Sequence, residues 1–387
     1  MQFVPRYYQT EAIEAAIRFF KTGDTAHGLE ILPTGSGKSV VIANIGKELA
    51  GKTIVLQPSK EILEQNVAKY RAYGFRAGIY SASAGSKRVE NMTFATIGSV
   101  ATKKHLFREF NNIIIDECHL VNPKEGLYRD FIYTLSDAKV LGLTATPYRL
   151  VSTFEGSVLE WITTSQPSIF SKVLYYIQNN VLFNEGHLAP LEYYDIDAID
   201  RSQLQVNKKG DDFTAESMRY LYRKINFDML TAKWANILLA KRKNCLVFCS
   251  MIDEAYKVQK LIPGSVVLTG ETETSVRTAI LNDFKAGIIR CVINVGVLTT
   301  GFDYQALESI LMAFSTMSLS KYYQVVGRVM RPFTYANGEK KTGWVVDLGG
   351  NIKKFGKIET MEIKEINGYY SIWNNGRQLT DVTFSKN

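Results

Sequence analysis

Between residues 28 and 150 the chain repeats one pattern, a short run of apolar and β-branched residues followed by a stretch with helical period. The runs are GLEIL, TIVLQ, AGIY, MTFAT, NIIID and VLGLT. Strands separated by helical stretches predict a mainly parallel sheet covered by helices. A second series begins near residue 244 with CLVFC, SVVLTG, RCVINV, SILMAF and WVVDLG. The expected class is therefore α/β, with two similar halves in one chain.

Residues 166–230 lie between the two series. IFSKVLYYIQNNVLF reads as an apolar helical stretch, followed by LAPLEYYDID and by VNKKGDD, an exposed loop near Lys208 to Asp212. After residue 350, Asn367-Gly368 and Asn375-Gly376 punctuate short alternating runs in the manner of type I′ hairpin turns, which predicts a small β appendage. The expected layout is a first domain over 1–165, a bridging segment over 166–230, a second domain over 231–350 and a hairpin-like tail over 351–387. No solenoid-length repeat or low-complexity tract interrupts it.

Composition narrows the class of protein. The 387 residues are 46% apolar, enough for ordinary globular cores. No uninterrupted apolar stretch approaches the roughly 18 residues that cross a bilayer, and MQFVPRYYQT lacks the layout of a secretion signal, so a cytoplasmic protein with no membrane partner is expected. Cys118, Cys245, Cys249 and Cys291 are too few and too irregularly placed for a disulfide framework or a zinc site. The net charge of +8 suits an anionic partner, nucleic acid being the commonest, although a solvated surface would carry the same charge.

Three motifs carry chemistry. GLEIL runs into PTGSGKS (Pro33 to Ser39) and then into VVIANIGKELA, the strand, loop and helix that a phosphate-cradling loop requires. Gly35 and Gly37 let backbone N–H groups turn toward phosphate, Lys38 would reach the β- and γ-phosphates, and the Ser39 hydroxyl would hold Mg²⁺. Leu32 stands where the general pattern has its first glycine. NIIIDECH then delivers Asp116 and Glu117 at the carboxyl end of a strand, Asp116 suited to Mg²⁺ through water and Glu117 to polarising the attacking water. In SLSKYYQVVGRVMRP, a helix capped by Ser318 or Ser320 would carry Gln324, Arg328 and Arg331 on one face. A solvated surface is the alternative for such a face, but a two-domain ATPase needs arginine fingers for its transition state.

Smaller segments fit the same machine. Gln9 in RYYQ could read an adenine edge, LGLTATP leaves a strand with Thr144 and Thr146, and NVGVLTTGFD offers Gly301 and Asp303 to nucleotide and Thr299 and Thr300 to phosphates. Turn threonines also satisfy backbone, so those contacts stay open.

PTGSGKS, DECH, TAT, TTGFD and QVVGRVMR occur in the order found in superfamily 2 helicases. Over about residues 1–350 the chain most resembles the RadD family of DNA-repair ATPases, in RYYQTEAI, ILPTGSGKSVVIA, IIIDECHL, LGLTATPYRL, NVGVLTTGFD and YQVVGRVMRP. Type I restriction motors and UvsW-like phage helicases share much of this. The resemblance implies two tandem RecA-like P-loop domains and a DNA-stimulated ATPase using ATP and Mg²⁺. It implies nucleotide contacts from Arg6, Gln9, Thr34, Gly35, Ser36, Gly37, Lys38, Ser39, Gly301 and Asp303, with Lys38, Asp116, Glu117, Arg328 and Arg331 as catalytic groups and the two arginines acting from domain two. It further implies coupling through His119, Thr144, Thr146 and Gln324, and strand contacts from Pro58, Ser59, Lys60, Thr96, Thr269, Thr299 and Thr300. The expected partner is single-stranded or branched DNA, with repair or replication proteins as further partners, in a bacterial cell or phage-infected host. The RadD pattern continues into a cysteine-rich zinc region, whereas no cysteine follows Arg331. The alternatives are an RNA helicase and a nucleotide-gated repair factor with little motor activity; a restriction motor would need a nuclease domain, for which no spare length is expected.

Overall fold

The computed structural model describes residues 4–24, 26–153, 156–299 and 301–384. The chain forms two compact units, one from 1–149 and 160–178, the other from 150–159 and 179–387.

In the first unit β1 (Gly28–Ile31), β2 (Lys52–Gln57), β3 (Gly78–Ser81), β4 (Ser86–Lys87), β5 (Met92–Thr96), β6 (Phe110–Asp116) and β7 (Lys139–Thr144) build one sheet. Two strands, β8 (Tyr148–Ser152) and β9 (Ser157–Trp161), follow, and then β10 (Lys172–Tyr176) returns to that sheet. The order is β10-β1-β7-β6-β2-β5-β3-β4, and all neighbours run parallel except β3 and β4. Ile54, Val55, Leu56, Ile113, Ile114 and Ile115 are fully buried, as expected for central strands covered on both faces. The helices α1 (Tyr7–Lys21), α2 (Lys38–Glu48) and α3 (Lys60–Ala72) supply much of that cover.

The expected helical stretch IFSKVLYYIQNNVLF is a strand followed by a short helix, Asn179–Asn184. An unbroken apolar run has no period that separates helix from strand. The β-favouring sequence Lys172–Tyr176 is drawn into the sheet beside β1, where Gly28 leaves room for Leu174: a Cβ on that glycine would stand 2.6 Å from Leu174 Cδ1.

The second unit contains β11 (Leu191–Asp195), β12 (Cys245–Cys249), β13 (Val266–Leu268), β14 (Cys291–Asn294), β15 (Ser309–Ala313) and β16 (Gly343–Asp347), all parallel, in the order β11-β16-β15-β12-β14-β13. Cys245, Cys249 and Cys291 are buried free thiols inside this core, and Cys118 is buried in the first unit. The loop expected near Lys208 to Asp212 is a turn closed by Asn207 N–H donating to Asp212 O at 2.8 Å. It is also anchored, since Asp212 accepts from Met317 N and Thr316 Oγ1 at 3.2 and 3.1 Å.

Beyond β16 a three-stranded antiparallel sheet forms from β17 (Met361–Ile366), β18 (Tyr369–Asn374) and β19 (Arg377–Gln378). Both turns have positive φ at both central residues, 53° and 81° at Asn367-Gly368 and 48° and 78° at Asn375-Gly376, as type I′ turns require. A last strand, β20 (Thr383–Phe384), pairs antiparallel with β9.

Candidate functional site

The phosphate loop follows from β1 feeding directly into α2. Gly35 and Gly37 take φ of 87° and 90°, conformations that a side chain would strain, and Gly37 is the N-cap of α2. A Cβ on Gly37 would collide with Gln9 Nε2. Gln9 Nε2 and Tyr8 Oη both donate to Ser36 O, at 2.6 and 2.9 Å, and Gln9 Oε1 accepts from Arg6 N at 2.8 Å. The start of α1 therefore braces the loop from behind. Thr34 and Ser36 are buried, and Ser36 Oγ has no hydrogen-bond partner among the described residues. A loop with inward backbone, an unengaged hydroxyl and a helix N-terminus behind it fits a polyphosphate.

β6 ends on the acidic pair. Asp116 is buried and accepts from Asn66 Nδ2 at 2.8 Å and from Glu117 N at 3.0 Å. Burial, then the neighbouring Glu117 charge, pushes its carboxyl up to about 6, with Lys38 opposing. Glu117 sits in the left-handed region at φ 55°, an uncommon conformation for a non-glycine residue that turns the chain sharply off the strand. Its carboxylate lies 3.8 Å from Lys38 Nζ and 3.5 Å from His119 Nδ1. His119 shares a 2.8 Å hydrogen bond with Thr144 Oγ1, which also accepts from Thr146 N at 3.0 Å. Burial lowers the imidazole to about 3, so the ring is neutral and its contact with Glu117 is not an ion pair. Leu32 N donates to Thr144 O at 2.9 Å, so β7 and the phosphate loop are joined. Lys38, Glu117, His119, Thr144 and Thr146 thus form one connected chain of polar contacts.

A divalent cation at such a site needs only one or two protein oxygens, because substrate phosphates and water complete the shell. Asp116 and the Ser39 hydroxyl on α2 are the donors of suitable type. No group of three or more histidine, cysteine or acidic side chains that could hold a metal occurs among the described residues.

In the second unit Ser318 Oγ accepts from Lys321 N at 3.2 Å and caps the helix Leu319–Val326. The helix stops there, so Gln324 is on it while Arg328 and Arg331 lie on the turns beyond, not on a continued helical face. Gly327 ends the helix, and a different contact brings the arginines together: Arg328 Nη1 and Arg331 Nη1 both donate to Phe302 O, at 2.6 and 3.0 Å. Arg328 Nε also donates to Gln324 O at 3.1 Å, and Arg331 pairs with Asp303 at 2.6 Å. Gly301, at φ 72°, precedes this cluster.

The expected strand-contact residues lie on carboxyl ends of strands. Pro58 and Ser59 follow β2, and Ser59 caps α3, accepting from Ile62 N at 3.4 Å; Lys60 pairs with Glu64 at 3.6 Å. Thr96 ends β5 and is held by Ser81 and Ser99 hydroxyls, each at 3.0 Å. Thr269 follows β13, buried, its Oγ1 accepting from Glu271 N at 3.2 Å. Thr299 follows β14 in a bend, and Thr300 lies outside the described residues.

Sequence reasoning missed Asn66, Tyr8 and Arg149. Asn66 occupies the apolar stripe of α3 with Ile62, Leu63, Val67 and Tyr70, and an amide on a buried stripe is the signal that could have found it. Arg149 Nη1 donates to Val121 O at 2.8 Å, closing the segment after His119; nothing in its sequence setting marks it.

Residues 2–149 match the family described as type III restriction enzyme, res subunit, and residues 229–332 match the helicase conserved C-terminal domain. The chain is 24% identical over 331 residues to a 51.5 kDa protein of Lactococcus phage (isolate 7-9), covering 81% of this chain and 64% of that one. It is 25% identical over 358 residues to the DNA 3'-5' translocase XPB2 of Sulfurisphaera tokodaii, covering 84% and 78%. The chain belongs to the superfamily 2 helicases. Among solved structures, a fragment of a putative HsdR subunit of a type I restriction enzyme from Vibrio vulnificus superposes with a TM-score of 0.67 at 20% identity, covering 95% of this chain and 67% of that one. The superfamily 2 fold of two tandem RecA-like domains accounts for the two parallel sheets, and members of these families use ATP with Mg²⁺. The chain spans 44% to 64% of the lengths of the phage protein and two further relatives. No helix among the described residues is long and apolar enough to cross a membrane.

Proposed function

We propose that this chain is an ATP-driven motor that translocates along or remodels DNA at forks and repair or recombination intermediates. The observation that carries the reading is the connected set Lys38, Glu117, His119 and Thr144, with Asp116 and the phosphate loop beside it. In this reading Gly35, Ser36 and Gly37 cradle the phosphates, Thr34 flanks them, and Lys38 neutralises the β- and γ-oxygens. Bound ATP and Mg²⁺ supply the transferred phosphoryl group and its countercharge, with Ser39 and Asp116 holding the metal. Glu117 orients and deprotonates the attacking water, Arg6 and Gln9 face the base, and Gly301 and Asp303 approach the nucleotide. Arg328 and Arg331, already gathered on one carbonyl, supply positive charge to the transition state.

The working parts we infer are 1–165 and 231–350, each completed by a strand from 166–230, β10 in the first sheet and β11 in the second, and followed by 351–387. His119, Thr144, Thr146 and Gln324 transmit the nucleotide state. Pro58, Ser59, Lys60, Thr96, Thr269, Thr299 and Thr300 line the strand path, binding backbone phosphates. The phage relative supports action in the cytoplasm of a bacterial cell or phage-infected host, and the translocase relative supports DNA over RNA. An unwinding panel of forks, Holliday junctions, displacement loops and RNA duplexes tests this. Activity on one or more DNA substrates is expected; activity confined to RNA duplexes would reassign the substrate, and ATP turnover without strand separation or translocation would leave a nucleotide-gated binding factor.

A further inference from the structure

At the amino-terminal edge of the second sheet, where β12, β14, β15 and β16 begin, a cleft of about 590 Å³ opens among charged side chains. Lys241, Arg242, Lys243, Arg290 and Lys340 supply cations there, against Glu192, Glu308 and Glu339. Phosphate loops and strand-contact residues of this fold follow carboxyl ends of strands, so the role proposed above uses none of these groups.

The cleft is built rather than accidental. Arg290 ties down the end of the helix Phe227–Lys241, donating to Leu239 O, Arg242 O and Lys243 O at 2.6, 2.7 and 3.0 Å. That fixes the backbone carrying the cations. Glu308 is spent inside the wall, accepting from Lys243 N at 2.8 Å and from Tyr335 Oη. The Arg242 guanidinium lies over the Trp344 ring at 3.8 Å, and Lys243 Nζ lies 3.8 Å from the Tyr335 ring centre. Arg242 Nε, shielded from solvent, finds no acceptor among the described residues. A shielded donor without an acceptor calls for an explanation, and a ligand with acceptor oxygens supplies one.

We propose that this cleft is a second binding site for a phosphate-bearing nucleotide unit, separate from the ATP loop. A phosphate fits the guanidinium and ammonium groups. The volume suits a ligand larger than a bare anion. The exposed Glu192 and Glu339 would repel an acidic peptide but accept from ribose hydroxyls or base amino groups, and a nucleotide offers phosphates and such donors together.

The source, free nucleotide or nucleic-acid strand, is separated by experiment. The full chain carrying Lys38→Ala, which disables the ATP loop, is titrated with fluorescent ADP and with a labelled twelve-residue oligoadenylate. Lys241→Gln and Lys243→Gln are then added; both positions are exposed, and a thermal melt checks folding, with Lys340→Gln as a second variant if the double change unfolds. Loss of two phosphate contacts should weaken oligonucleotide binding roughly tenfold and lower the slope of log affinity against log salt by about 1.4. One-to-one ADP binding to Lys38→Ala that the added changes abolish would identify free nucleotide instead. Unchanged binding of both probes after the added changes, or binding of neither probe to the Lys38→Ala chain, overturns the proposal. Absence of ATP turnover in the wild-type chain would defeat the motor reading alone and leave these titrations interpretable.

Discussion

Asp116 is held by a hydrogen bond from Asn66 Nδ2 on α3, an amide fifty positions earlier in the chain. Asn66→Ala would release Asp116 Oδ2, and outer contacts of this kind hold metal affinity or activity by about 10- to 100-fold. The expected outcome is a higher Mg²⁺ concentration for half-maximal ATP turnover with little change in thermal midpoint; an unchanged Mg²⁺ titration would contradict this role. Lys341 offers a second test. It is buried, donates to Gln305 O at 2.7 Å, and is lowered to about 7 by burial and then by the positive Arg331, against an ordinary value of 10.5. Between those two values the unfolded chain holds one more proton than the folded chain, so stability rises with pH across that window. The wild-type unfolding midpoint should climb between pH 7 and 10 by a component that Lys341→Met lacks.

At the scale of elements, legibility tracked how local the determinant was. The type I′ turns at Asn367-Gly368 and Asn375-Gly376 depend on residues that tolerate positive φ, so the hairpins could be read directly. β10 could not, because an apolar run becomes strand or helix according to the neighbour it meets, here β1. The arginine pair was expected together for a reason that differs from the observed one. The helix stops at Val326, and Phe302 O gathers Arg328 and Arg331 instead. Ser318 caps that helix, so Ser318→Ala should cost about 1 kcal/mol in denaturant unfolding. A change well under half of that would show that the cap contributes little to placing the arginine turn.

On the scale of the whole molecule, the two strand series and the order of motifs made the α/β class and the superfamily legible, because parallel strands buried on both faces write themselves as unbroken apolar runs. The charge of +8 was much less informative: the same excess serves solubility, a strand path or the second cleft, and only side-chain placement separates them. At Thr96 and Thr269 the sequence likewise does not reveal that neighbouring residues hold the hydroxyls in place. In the proposed motor, Lys38 and Glu117 work on one ATP molecule and DNA governs its hydrolysis. Steady-state ATP hydrolysis by the wild-type chain, Lys38→Ala and Glu117→Gln, each with and without single-stranded DNA, tests it directly. DNA-stimulated turnover is expected in the wild type, with a loss of about 10² to 10⁴ in Glu117→Gln and Lys38→Ala similarly inactive. Equal turnover in all three proteins, with or without DNA, would contradict it.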